Sequence, residues 1–231
     1  MAPPCYATHM AKRRCWLSWS SGKDSAWALG ALRRRDDLEV VGLLTTLNEE
    51  ADRVAMHAVR RSLLQAQAAA AGLPLITIDL PSPCSNEAYE RRMKGAIERA
   101  HEAGVEVMAF GDLFLEDVRD YRISQLESTG IEPIFPIWGQ PTGELARTMI
   151  DSGLKAWVTC VDPKQLDPSF AGRHWDHELL DDLPDGVDPC GERGEAHTFC
   201  YAAPCFAEPI AVTPGKVVER DGFVFADLLP G

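Results

Sequence analysis

The stretch Cys15-Trp16-Leu17-Ser18-Trp19-Ser20-Ser21-Gly22-Lys23-Asp24-Ser25 constrains this chain more than any other. Its first half alternates bulky apolar with small or polar residues, and Ala26, Trp27, Leu29 and Leu32 then recur at helical spacing. That pattern predicts a strand, a tight turn and a helix. The turn, Ser20 to Ser25, combines hydroxyls, a glycine and a lysine at the point where a new helix presents unpaired N–H groups. This is the chemistry of a cradle for an anion, above all a phosphate. An ordinary serine-rich helix cap is the bland alternative.

The Walker pattern G-x-x-x-x-G-K-[ST] fails here: Leu17 occupies the first glycine position and Asp24 the magnesium-binding hydroxyl position. Ser20-Ser21-Gly22-Lys23-Asp24-Ser25 instead resembles the S-G-G-x-D-S signature of the PP-loop ATP pyrophosphatases, with Ser21 where a glycine is usual. The resemblance implies an enzyme that splits ATP between its α and β phosphates. If position 21 requires a left-handed backbone, its serine carries a strain of roughly 1–2 kcal/mol.

Downstream, the pattern predicts a buried strand at Leu38 to Thr46, a long helix from Arg53 to Ala71 ending at Gly72, and a strand from Pro74 to Leu80. A helix from Glu87 to Ala103 and a strand from Val105 to Phe110 leading into Gly111-Asp112 follow. The alternation predicts an α/β fold, a doubly wound parallel sheet whose ligands lie beyond the carboxyl ends of its strands. That rule gathers Ser18, the 20–25 turn, Thr45, Thr46 and Gly111-Asp112 at one crevice. Thr45 and Thr46 are either an adenine or ribose edge or a plain strand-end pair. Asp112 and Asp24 are candidates for Mg²⁺, or else a helix cap and a dipole-favoured first-turn acid. His57, near Met56 and Arg60, carries no separate expectation.

A helix from Leu115 to Thr129 holds Tyr121 and Arg122, and Pro133 to Trp138 forms a short apolar strand or connection. Gly139-Gln140-Pro141-Thr142-Gly143 marks a boundary. The expected division is a leader over 1–14, a nucleotide-binding domain over 15–139 and a smaller α+β domain over 140–231. Within the latter, Lys155 to Val161 reads as a strand and Asp162 to Pro189 as an ordered loop framing a pocket. His174 and His177 have a metal-like spacing but no third partner. Lys216 to Phe225 reads as a hairpin turning at Asp221-Gly222, closing a small sheet and leaving room for a homodimer.

Gly191-Glu192-Arg193-Gly194-Glu195 is followed by Ala196, His197 and Thr198. Two glycines bring backbone amides close to two carboxylates, a loop able to bind an amine or supply a general base, or simply a solvated surface turn. A PP-loop followed by G-E-x-G-E-x-[EH]-T is similar to the diphthine–ammonia ligase family. The similarity runs from about residue 15 through Gly111-Asp112, Arg122, Phe135-Pro136-Ile137-Trp138 and Gly191 to Thr198. It implies ATP-dependent amidation, in which a substrate carboxylate is adenylated, pyrophosphate leaves, and ammonia displaces AMP. On that scheme Ser20, Ser21, Gly22, Lys23 and Ser25 hold the nucleotide with Mg²⁺, and Asp24 and Asp112 serve the metal. Glu192 and Glu195 act in catalysis, and Arg122, Gly191, Gly194, His197 and Thr198 line the acceptor side. Members associated with diphthamide carry an aromatic residue and an acid where this chain has Ala196 and His197.

The formal net charge of −12 over 231 residues opposes a grip on nucleic acid phosphates. The partners expected are therefore ATP, a carboxylate-bearing acceptor and ammonia. Seven cysteines without a C-x-x-C pair predict reduced thiols, and the absence of a long apolar run or apolar leader predicts a cytoplasmic protein. Two other functions fit parts of the pattern: a PP-loop tRNA-modifying enzyme, opposed by the acidic balance, and an ATP- or AMP-binding regulator, in which Glu192 and Glu195 have no role.

Overall fold

The computed structural model describes residues 11–50, 52–54, 58–81 and 83–231. Its elements are, in order, β1 (Arg13–Ser18), α1 (Lys23–Arg33), β2 (Leu38–Asn48), β3 (Arg53–Val54), α2 (Arg61–Ala71), β4 (Leu75–Leu80), α3 (Asn86–Glu102), β5 (Val107–Ala109), α4 (Glu116–Leu126) and β6 (Glu132–Ile134). The second half comprises α5 (Thr142–Asp151), β7 (Lys155–Val161), β8 (His174–Trp175), α6 (His177–Asp182), β9 (Ala196–Ala202), β10 (Val212–Arg220) and β11 (Phe223–Pro230).

β4, β2, β1, β5 and β6 are parallel neighbours in that spatial order, and the short β3 adds antiparallel to the end of β2. Going outward from β1, the chain passes to β2 and β4 on one side and to β5 and β6 on the other. The strand order therefore reverses between β1 and β5, the place where a doubly wound sheet opens a crevice. The period of two along β1 explains the layers. Cys15 and Leu17 enter one core with Leu29 and Leu32 of α1 and Leu63 and Leu64 of α2. Trp16 enters the opposite core with Ile76, Met108 and Phe110, closed by Ala96 and Ala100 of α3. Both faces are covered, as a parallel sheet requires.

The second sheet is antiparallel, in the order β10-β11-β7-β8 with β9 also paired to β7. Phe199, Cys200, Ala156 and Val158 join the same buried cluster as α1 and α2, so those two helices are sandwiched between the sheets. Asp221 and Gly222 both have positive φ, 53° and 80°, the geometry that lets a two-residue turn close the β10–β11 hairpin with the right twist.

Several boundaries differ from expectation. β1 begins at Arg13, inside the expected leader. β2 continues to Asn48 because β3 and β4 pair with its last two residues, so Thr45 and Thr46 lie within the strand and not at its end. α2 begins at Arg61, not Arg53: Asp52 and Ala58 take left-handed backbone (φ 51° and 53°) and Arg53–Val54 is drawn into the sheet. Met56 and His57 lie outside the described residues. The 162–189 segment is more structured than a loop, with one helical turn at Pro168–Phe170, then β8, then α6 capped by Asp176, whose Oδ1 accepts from the Leu179 amide at 2.9 Å.

Among the described residues the six cysteines are all free, and no helix is long and apolar enough to cross a membrane.

Candidate active site

The phosphate-type turn begins where β1 ends. Ser20 Oγ accepts from the Gly22 amide at 3.2 Å and donates to Ser25 Oγ at 3.2 Å, and Ser25 Oγ donates to the Gly22 carbonyl at 2.9 Å. The three residues thereby shape one another. Ser21 is fully buried and has φ +70°, so the condition for strain at this position is met. Its carbonyl accepts from the Cys200 amide of β9 at 2.9 Å and from Gln67 Nε2 of α2 at 2.8 Å, which holds the strained conformation in place. Its own hydroxyl is buried with no hydrogen-bond partner. Ser21→Gly removes both penalties at the cost of a more flexible unfolded chain, and is expected to stabilise the protein by about 1 kcal/mol. Urea unfolding checks this, and a midpoint at or below wild type would contradict it.

No side chain of its own segment caps α1. The Lys23 amide instead donates to Thr198 Oγ1 of β9 at 3.2 Å, so the second sheet finishes the helix terminus. The Lys23 side chain, 2% exposed, runs the same way: Nζ donates to Asp24 Oδ2 at 2.9 Å and to the Cys190 carbonyl, and lies 5.3 Å from the centre of the Trp175 ring. Burial is the strongest single influence and works against its positive charge, but Asp24, with further help from other neighbours including Glu192, raises the Lys23 pKa on balance. Burial likewise pushes Asp24 upward, against the pull of Lys23. The second Asp24 oxygen, Oδ1, is buried without a hydrogen-bond partner.

Gly111 passes so close to α1 that a Cβ there would stand 3.2–3.3 Å from the backbone of Asp24 and Ser25. This close approach brings Asp112 to the crevice, where both its oxygens accept from Arg122, Nε at 2.7 Å and Nη2 at 3.3 Å. Arg122 also stacks 4.6 Å from the Phe110 ring centre.

Facing the turn is the 188–195 loop, built by its own carboxylates. Asp188 Oδ2 accepts from the Glu192 amide at 2.8 Å, and Glu195 accepts from the amides of Asp188 (3.0 Å) and Arg193 (2.9 Å). Gly191 is obligatory: its φ is +67° and a Cβ would sit 2.6 Å from the Ala196 carbonyl. The two glutamates thus part company. Glu195, 2% exposed, spends its carboxylate inside the loop and does not line the cleft, contrary to the expectation that it faces the acceptor; the Gly194 amide likewise closes the loop, onto the Gly191 carbonyl. Glu192 projects into the cleft, accepts from the Leu113 amide at 2.7 Å, and is lifted by burial and by the neighbouring Asp24 and Asp112 to a pKa of about 7. Burial and the charge of Lys23 depress His197 to about 4, which keeps it neutral.

Ser18, Ser20, Lys23, Asp24, Ser25, Gly111, Asp112, Arg122, Gly191, Glu192, His197 and Thr198 therefore line one polar cleft of about 220 Å³. It opens beside a largely apolar chamber of about 340 Å³, walled by Leu44, Ile78, Met93, Met108 and Phe110 and sharing Ser18, Ser20, Arg122 and His197 with the cleft. Thr45 and Thr46 border the chamber, but the Thr45 hydroxyl donates to the Trp19 carbonyl at 2.7 Å, a structural use. His174 and His177 diverge: the first stacks on Trp157, the second contacts Asp151 at 2.8 Å. Among the described residues no cluster of three or more His, Cys, Asp or Glu could hold a metal. Gln67, Asp188 and Trp175 were not marked as site residues by the sequence reading. Asp188 stands three residues before the Gly191–Glu195 motif, near enough to be sought there; the other two have no local signal.

Residues 13–132 match the model of the diphthamide synthase N-terminal domain, and residues 141–225 that of the diphthamide synthase C-terminal domain. The chain belongs to the diphthamide synthase family. Its similarity to individual members is modest. It is 28% identical to the diphthine–ammonia ligase of Homo sapiens over 164 residues, 67% of this chain and 60% of that protein. It is 28% identical to that of Danio rerio over 200 residues, 78% of this chain and 76% of that protein. With the Mus musculus protein the match is 29% over 119 residues, 46% of this chain and 43% of the relative. The chain thus spans less than two thirds of the human relative and less than half of the mouse relative. Within the diphthamide synthase family pattern, the cleft joins a turn from the N-terminal match to a loop from the C-terminal match.

Proposed function

We propose that this chain is an ATP-dependent, AMP-forming carbon–nitrogen ligase that activates a carboxylate and converts it to an amide with ammonia. The observation that carries the proposal is the juxtaposition in one cleft of a helix-terminal anion cradle and a carboxylate poised near neutrality, Glu192. The chamber suits a nucleoside: it is apolar on its walls, with Thr46 at its edge, and continuous with the cradle. Ser20, Ser25 and the first-turn amides of α1 beyond Lys23, whose own amide is held by Thr198, receive the phosphates, and Arg122, with guanidinium donors beyond the two given to Asp112, meets charge developing at the α-phosphate.

An acceptor carboxylate oxygen attacks the α-phosphorus and pyrophosphate leaves, giving an acyl-adenylate. Ammonia then adds to the acyl carbon, AMP departs, and the nitrogen loses a proton. Glu192 is the group suited to take that proton, since a base of pKa about 7 is half ionised at neutral pH yet still accepts readily. Asp24 fits a Mg²⁺ ion through its unpartnered Oδ1, whereas both Asp112 oxygens are committed to Arg122. Mg²⁺ usually binds through one or two carboxylates plus substrate phosphates, so no larger protein cage is required, and when bound it neutralises phosphate charge.

Diphthine is the acceptor in the relatives' names. For this chain the acceptor is assigned only as a carboxylate, because neutral His197 lines the acceptor side of the cleft. Incubation with ATP, ammonium and a panel of carboxylates, followed by chromatography of AMP and amide, tests the reading. AMP and amide formed in equal amounts, and only with acceptor and ammonium together, support it. AMP formation that depends on tRNA, or ATP retained without turnover, would contradict it.

A further inference from the structure

Gln67 on α2 is wholly buried, and both ends of its amide are engaged. Oε1 accepts from Trp19 Nε1 at 2.9 Å, while Nε2 donates to the Ser21 carbonyl at 2.8 Å and to the Cys200 carbonyl at 2.6 Å. An indole can only donate and carbonyls can only accept, so one amide orientation alone satisfies all three partners. These partners lie on the chain just after β1, in the phosphate-type turn and on β9, and among the described residues Gln67 is the one side chain that bonds to all three.

We infer that Gln67 is a positioning residue for nucleotide binding, acting through the Ser21–Gly22 peptide. The inference rests on the proposal that residues 20–25 receive the phosphates. A peptide unit is planar and trans, so the direction of the Ser21 carbonyl fixes the direction of the Gly22 N–H on its opposite side. Gln67 and the Cys200 amide pin that carbonyl from behind, and the Gly22 N–H is thereby aimed to the front of the turn, where it meets Ser20 Oγ. Serine at φ +70° favours leaving this conformation, and Gln67 opposes that relaxation. A glycine at position 21 holds the same backbone without help. The need for Gln67 is therefore coupled to the presence of a side chain at Ser21.

The test is a double-mutant cycle read in nucleotide affinity. Gln67→Met keeps the volume and removes the donors. It is expected to weaken Mg·ATP binding, measured by titration calorimetry, by about tenfold or more, and Ser21→Gly in the same chain is expected to recover most of the loss. Leu64→Ala, a core truncation on the same helix, controls for stability and is expected to leave ATP affinity within about twofold at a temperature where it is folded. Without nucleotide, hydrogen exchange at the Gly22 and Lys23 amides is expected to quicken in Gln67→Met and to slow again with Ser21→Gly. If Gln67→Met does not fold, Gln67→Glu, which keeps the Trp19 contact, takes its place in every arm. Unchanged exchange at Gly22, or equal losses of affinity with serine and glycine at position 21, would overturn the inference. Wild-type protein that binds no ATP, with the exchange pattern as expected, would overturn the functional reading and leave the mechanical role of Gln67 standing.

Discussion

Lys23→Ala is expected to abolish AMP formation and also to weaken the fold by about 3 kcal/mol, because removing one partner of a buried ion pair strands the other. The stranded group is Asp24, and Asp188, Glu192 and Asp112 are close enough that four carboxylates would then share one desolvated region. The figure sits at the low end of what such losses cost because the Asp24 side chain keeps 24% of its surface toward the cleft. Lys23 also ties the Cys190 carbonyl and stacks on Trp175, so the change loosens the entry to the 188–195 loop. Adding Asp24→Asn removes the orphaned charge and is expected to return most of the lost stability while turnover stays absent. Urea unfolding alongside AMP release separates the two effects. A Lys23→Ala protein as stable as wild type would mean that the ion pair contributes nothing, and one that still formed AMP would remove Lys23 from the chemistry.

The second large effect falls on Glu192. Turnover of wild type is expected to rise with pH through about 7 as Glu192 ionises, and Glu192→Gln is expected to lower it by roughly 10²–10⁴-fold and to flatten that limb. Stability has the opposite sign. A carboxyl whose folded pKa is raised stays protonated in the native state while the unfolded chain has already released its proton, so the native state binds more protons between the ordinary glutamate value of 4.5 and about 7. Wild-type stability attributable to this group therefore falls as pH rises across that window, and Glu192→Gln removes the dependence. A variant with the wild-type pH–rate profile would dismiss Glu192 as the base. Glu195→Gln serves as contrast: its carboxylate braces the loop, so it should lose stability first.

The strand-turn-helix around residues 20–25 was legible in the sequence because it is local: Ser20, Gly22, Lys23 and Ser25 stand within one turn of each other, and strand and helix periodicity frame them. The doubly wound order followed from the alternation of elements. What stayed hidden depended on geometry that no short pattern encodes. In Gly191-Glu192-Arg193-Gly194-Glu195 the two acids look equivalent, and only the fold of the turn sends one outward and folds the other back onto the Asp188 and Arg193 amides. The start of α2 was placed too early because Ala58, a strong helix former, sits at φ +53° while Arg53 and Arg60 reach across to Asp227 of β11. Gln67 reads as one more polar residue in an alanine-rich helix, since its three partners come from distant parts of the chain.

On the proposed function the 20–25 turn grips ATP so that the bond between the α and β phosphates breaks. Phosphorus-31 NMR of the reaction with ATP, Mg²⁺, ammonium and an accepted carboxylate reads this directly. AMP and pyrophosphate, appearing in equal amounts, are the predicted products; ADP and inorganic phosphate would contradict the account.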